Sequence, residues 1–286
     1  MAFRTDKIYI ALLLLLGMLG KNAVGQTTLR YRMTPGENLK YRMTMSMNQR
    51  SNADGMNMDM GSNTFSIMHI HCERADSGTF TCTMILDTGT VSLAIPDEIR
   101  PSVGLDSVMP IENLEAKRTR ITFSPSGHIL SFIPLDTPAT LNALLKGANL
   151  DVEKYTEMFG GLPSKPVAPG DTWTTEMNDS TNLNGMGTMY LTGTTVYTFK
   201  RIADTLHHHC AVIGSAATMN VKGAIYLQDV VVSGAGDMTG TIYFDIEKGA
   251  MVASTGTGET TSNMELKGEG SMKQTFTSSL EMVLIP

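Results

Sequence analysis

From Leu39 onward, apolar and polar positions alternate. Within residues 39–47, Tyr41, Met43, Met45 and Met47 share one side, and Lys40, Arg42, Thr44 and Ser46 the other. Met68, Ile70 and Cys72 oppose His69, His71 and Glu73. After Ala75-Asp76-Ser77-Gly78, residues Phe80, Cys82, Met84 and Leu86 oppose Thr79, Thr81 and Thr83. A period of two marks strands with one buried and one wet face. Residues 121–123 and 129–132 flank Ser124-Pro125-Ser126-Gly127, a turn in which Pro presets φ and Gly admits the left-handed region. The pattern predicts further strands at 188–201, 206–213, 223–232, 239–246, 251–257 and 271–284. Residues 51–62 are polar, rich in Gly and Asn with Met interspersed, and read as a loop or disordered hairpin tip.

One segment has a different period. Thr137-Pro138 offers a cap and a helix-starting Pro, and Leu141, Leu144 and Leu145 follow at helical spacing before Gly147. Asp151 can cap a second short helix with Val152, Tyr155 and Phe159 on one side and Gly160 as its stop. The expectation is a short helical segment at about 137–160.

Motifs recur in order. Thr34-Pro35-Gly36-Glu37-Asn38-Leu39 leads into a strand with Met43, and Ala168-Pro169-Gly170-Asp171-Thr172-Trp173 into one with Met177. Ala75-Asp76 with Cys82 matches Ala203-Asp204 with Cys210, and Phe123 with Gly127 resembles Phe244 with Gly249. Three matches in one order predict a duplication. The expected architecture is mainly β: antiparallel sheets in two pseudo-repeat halves, 26–162 and 163–286, with the helical segment between them.

The N-terminus changes where such a fold would reside. Arg4 and Lys7 precede an apolar run at 8–19 and then Ala23-Val24-Gly25, the layout of a secretory signal peptide over residues 1–25. That run is too short for a bilayer core, which takes about 20 apolar residues. No later stretch is apolar enough for a membrane helix. The expectation is export to the periplasm or the outer-membrane surface, with release a further option. Formal net charge is −6, and it becomes more negative once the leader's three basic residues leave with a single Asp. An acidic chain without a basic stripe is a poor match for nucleic acid. Aromatics make up only 6% of residues while Met numbers 22, so Met takes core volume that aromatics fill elsewhere.

The Pro169–Trp173 stretch and the hairpin at 245–249, in an exported β body, resemble a family of uncharacterised exported proteins of Gram-negative bacteria, known only as a domain of unknown function. The resemblance implies an envelope location and assigns no activity and no site residues.

The chain carries no H-E-x-x-H, G-x-S-x-G, P-loop, S-x-x-K or glycine fingerprint, and its acidic residues are scattered through turns. The expectation is a non-enzyme without a cofactor. Cys72 and Cys82 flank one turn on the apolar face, either as a disulfide or as two buried thiols. Directly opposed Cβ atoms, about 4.5–5.5 Å apart, sit slightly wide of the usual bridge at about 3.8 Å. Cys210 has no counterpart for Cys72 and reads as a core thiol. His69 with His71, and His207 with His209, are i, i+2 pairs on a wet strand face, where two imidazoles could hold Zn²⁺ or Cu²⁺. Met56, Met58 and Met60 form a thioether run suited to Cu(I). A Met-lined inner face could instead cradle an apolar ligand. The function expected is therefore an envelope protein binding an apolar small molecule or a protein partner. The alternative is a copper- or zinc-binding protein using the Met run or the His pairs.

Overall fold

The computed structural model describes residues 25–53, 56–76, 78–94, 96, 108–110, 118–136, 161–182, 187–225, 229–266 and 270–286. Twelve strands form one antiparallel sheet. They are β1 (Asn38–Ala53), β2 (Met56–Asp76), β3 (Thr79–Ala94), β4 (Val108–Pro110), β5 (Arg118–Phe123), β6 (Ile129–Pro134), β7 (Thr172–Asn182), β8 (Gly187–Thr205), β9 (His208–Ile225), β10 (Val230–Asp245), β11 (Ala250–Leu266) and β12 (Gly270–Ile285). Their order is β6-β5-β3-β2-β1-β12-β11-β10-β9-β8-β7, with β4 beside β3. The mainly β expectation holds, as a single sheet through both halves joined by the β1–β12 ladder. The helical segment at 137–160 and the leader up to residue 24 lie outside the described residues.

Two expectations at strand ends are corrected. Residues 51–62 do hold the end of a hairpin, but most of them are strand: β1 continues to Ala53, and β2 begins at Met56 and pairs with it in unbroken register. Residues 223–232 are not one strand but the end of β9 and the start of β10. In the first, small polar residues with weak local propensity become strand because neighbours supply the ladder; in the second, a mostly apolar sequence hides the break between two strands.

The sheet curls tightly. Tyr31 N donates to Pro125 O at 2.7 Å in the β5–β6 turn, and Arg32 N donates to Gly249 O at 2.9 Å in the β10–β11 turn. In a flat sheet those turns would stand roughly 29 Å apart, at about 4.8 Å per strand. Adjacent residues reach both, so the sheet must be rolled around them. Tyr31 packs edge-on against Phe123 at 5.8 Å and against Phe244 at 5.2 Å between centroids. Leu162 N donates to Ser126 O at 2.8 Å, while Gly161 O accepts from Trp173 Nε1 of β7 at 2.7 Å. Residues from opposite edges thus meet at 161–162, although β6 and β7 share no ladder. Gly249, at φ +68°, shows how close residues 29–33, which form a strap over the inner face, lie to the sheet: a Cβ there would be 2.9 Å from Arg30 O.

Inside the roll, the core occupies one end of the strands. Leu29, Tyr31 and Met33 from the strap meet Tyr41, Met68, Ile70, Phe123, Phe199, Ile213, Phe244 and Met251. Following side-chain parity along each strand identifies the inner face elsewhere, with a shift wherever the register breaks, as in β3 opposite Ile67/Met68.

Two turns in the two halves share a bonding plan. Glu37 N donates to Thr34 O and Asp171 N to Ala168 O, both at 3.0 Å. Gly36 N reaches Cys72 O at 2.8 Å, and Gly170 N reaches Phe199 O at 2.7 Å. Both glycines have positive φ, +88° and +98°. The register breaks at Cys72/Arg74 in β2 and at Phe199/Arg201 in β8. It breaks again just before Phe123 and just before Phe244. These bulges correct one expected correspondence: Cys82 pairs with Cys72, whereas Cys210 pairs with Ala203, so Cys82 and Cys210 are not equivalent. The hairpin joining β8 to β9 is longer beyond its bulge, and a fixed sequence offset cannot register that.

Candidate functional site

Away from the core, the inner face is largely uncharged, with Met and Gly interspersed with Ser, Thr and Gln, and is mostly half-buried. Reading cross-strand neighbours around the roll gives rows of alternating size. One runs Met177, Gly193, Met219, Gly236, Thr260, Phe276, Gln49, Met60. Another runs Thr195, Ala217, Met238, Gly258, Ser278, Met47, Ser62, Leu93. Glycine makes room for its neighbours' thioethers: a Cβ on Gly223 would sit 2.3 Å from Met189 Sδ, and one on Gly258 2.6 Å from Met238 Cγ. Small residues on the concave side let the sheet bend, and Met fills the space they leave. The result is a trough open at the far strand ends and closed by the core at the other.

Ser, Thr and Gln side chains interrupt it, among them Thr195, Thr260, Gln49, Ser62 and Ser278 of these rows. Ser66 is fully buried on the inner face of β2, and its Oγ has no hydrogen-bond partner. Gln49 Nε2 donates to Ser51 Oγ at 3.0 Å, and Thr260 Oγ1 to Met219 Sδ at 3.8 Å. Near the rim a cavity of about 570 Å³ is lined by Ile225, Val230 and Leu266 with Asp229 and Glu265. At the boundary between core and trough, Trp173 stacks on Tyr197 with centroids 5.6 Å apart. The outer face of the same strands is polar and charged, with exposed Arg50, Asp59, Lys222, Asp237, Glu259, Glu265 and Lys273.

The metal candidates fall in separate places. Met56 opens β2, and Met58 and Met60 follow on the inner face, paired with Ser51 and Gln49. His69 and His71 lie on the outer face of β2, with His69 Nε2 3.3 Å from Asp87 Oδ2 and His71 Nδ1 2.8 Å from Asn38 Oδ1. His207 is not a strand residue: with Leu206 it forms the β8–β9 turn, at φ +63° and +49°. The expected i, i+2 face with His209 therefore does not form. Adjacent polar and apolar residues carry no period that would reveal a two-residue turn without Gly or Asn. His209 Nδ1 lies 2.7 Å from Asp204 Oδ1, a contact that raises the imidazole's pKa. Among the described residues, no three His, Cys, Asp or Glu gather as a metal site would need.

Sequence reasoning passed over Asp245. It is buried at the β10–β11 turn, accepts Glu247 N at 2.8 Å and Lys248 N at 2.7 Å, and pairs with His208 Nδ1 at 2.6 Å. Burial opposes its charge, but the two amides and the imidazole outweigh that and hold its carboxyl below the usual range. Its role is to fix a turn.

Residues 149–251 match the model of a family described as a family of unknown function (DUF6263). That stretch contains both the Pro169–Trp173 and the 245–249 motifs, in agreement with the resemblance drawn from them. No curated protein matches the sequence. Among solved structures the chain is similar to lipovitellin, titled for its lipid–protein interactions: identity is 13%, and 89% of this chain aligns to 26% of that one at a TM-score of 0.48. The chain thus spans about a quarter of the lipovitellin chain. It is also similar to the hypothetical lipoprotein YmcC from Escherichia coli (K12), at 10% identity, 93% and 94% coverage and a TM-score of 0.23. Neisserial surface protein A aligns at 8% identity, 86% and 97% coverage and a TM-score of 0.23.

Proposed function

We propose that this chain is an exported, non-enzymatic envelope protein that holds an apolar ligand in the Met-lined trough. One observation carries the reading: the inner face of the open end is rich in Met and Gly and largely uncharged, while the outer face of the same strands carries Lys, Arg, Asp and Glu. A half-buried apolar surface is stabilised by whatever displaces its water, at about 25 cal/mol per Å² covered. Thioethers adapt to varied apolar shapes, which suits an acyl or similarly flexible chain. The polarity of the faces is the reverse of a membrane-embedded barrel, whose apolar band faces outward. The exported location rests on the leader read at residues 1–25.

We also infer that the two halves descend from a duplicated unit. β1-β2-β3-β5-β6 and β7-β8-β9-β10-β11 occur in the same spatial order, and the paired Pro-Gly turns and bulges support this.

Protein purified from the periplasm under gentle conditions tests the ligand. Native mass spectrometry should find an added mass that organic solvent extracts. A chain that remains at its bare mass after exposure to phospholipid and fatty acid would refute the ligand. A bound Cu or Zn ion in place of an extractable mass would favour the thioethers and imidazoles as ligands instead.

A further inference from the structure

Cys72 and Cys82 are directly opposed on neighbouring strands, and both side chains are fully buried. The main-chain groups of Cys72 point away from β3: Cys72 N donates to Glu37 O at 2.9 Å, and Gly36 N donates to Cys72 O at 2.8 Å. In an antiparallel ladder a residue's N–H and C=O point to the same side, so Cys72 and Cys82 form a pair without mutual backbone hydrogen bonds. Such pairs are the narrow ones, with Cα atoms about 4.5 Å apart and side chains closest. That spacing lies within the span a disulfide tolerates, about 4.4–6.8 Å. The Cys72 Sγ–H is directed at Arg74 O, 3.6 Å away, and the Cys82 Sγ–H at Met33 Sδ, 3.7 Å away. Cys210 pairs with Ala203 and has no such neighbour.

We infer that Cys72 and Cys82 are oxidised to a cross-strand disulfide that forms before the strap of Leu29, Tyr31 and Met33 closes over them. Each thiol loses its hydrogen and one S–S bond forms. The oxidant is itself a disulfide: its own S–S bond breaks, and the two electrons and two protons given up by the thiols pass to it, so that it leaves as two thiol groups. The order of events follows from burial. Once the strap has docked, neither sulfur is exposed, and burial raises both thiol pKa values, so thiolate is scarce when an oxidant could arrive. Exchange therefore belongs to the folding chain, while hairpin β2–β3 is formed and still uncovered.

The full chain, unfolded and reduced, is refolded in buffer containing glutathione disulfide, then denatured and alkylated without reductant. This readout does not depend on the trough or on processing of the leader. The bridge predicts a chain lighter by two hydrogens with one alkyl group, on Cys210. Cys82→Ser, alkylated in denaturant whether or not it folds, should carry two. Three alkyl groups on the refolded wild-type chain would overturn the disulfide. Folded reduced chain placed in the same buffer should keep three, and rapid loss of two there would overturn the proposed order.

Discussion

The two ends of one sheet are built from the same alternation and do different things. At the strap end, inward positions are Tyr41, Ile70, Phe123, Phe199, Ile213 and Phe244, and almost nothing of them is exposed. At the far end the inward positions are largely Met and Gly interspersed with Ser, Thr and Gln, mostly half-buried, and among the described residues no strap covers them. Alternation alone therefore specifies which side of a strand is dry, and residue size specifies whether that side is filled from within the chain. Large rings close the first end, whereas glycines and flexible thioethers leave the second a trough.

This contrast is broken or sharpened most strongly by truncating one inward residue at each end. Phe199→Ala should lower stability by about 3–5 kcal/mol, the range for removing a buried ring. Met219→Ala, half-buried in the trough, should cost about 1 kcal/mol or less because little packing is lost. Chemical denaturation measures both, and equal losses would mean that the far end is a packed core too.

A smaller effect is expected at the turn that anchors the strap end. Asp245→Asn should cost about 1–3 kcal/mol at neutral pH, because buried amides and His208 lose a charged partner. The folded-state pKa of Asp245 is lowered, so its contribution is present above the ordinary carboxylate range and is lost as pH falls through the folded value. Wild-type stability should fall on acidification through the carboxylate range more steeply than that of Asp245→Asn. Parallel acid profiles would remove the turn from the account.

Much of the strap end was legible in the sequence, because Phe, Ile and Tyr at alternate positions between Pro-Gly turns have few other readings. Residues 51–62 were not, since Ser, Asn and Gly carry no strand propensity and become strand only beside the β1–β2 and β1–β12 ladders. The Met run at 56–60 was visible as an oddity in an expected loop. Its place on an inner face emerged only once register fixed its parity. Nothing local announced the curl, which depends on contacts between residues as distant as Arg32 and Gly249. The Leu206–His207 turn escaped because its positive φ values fall on residues that seldom adopt them.

Trp173 makes the most direct measurement possible. It is the single Trp of the chain and sits on the inner face where core gives way to trough. A fatty acid brominated along its chain should quench Trp173 fluorescence saturably in the wild type. It should do so far more weakly in Met219→Arg, where a charge is placed on the trough floor with the core untouched. Quenching that is absent in the wild type, or unchanged by Met219→Arg, would contradict an apolar ligand held against the inner face.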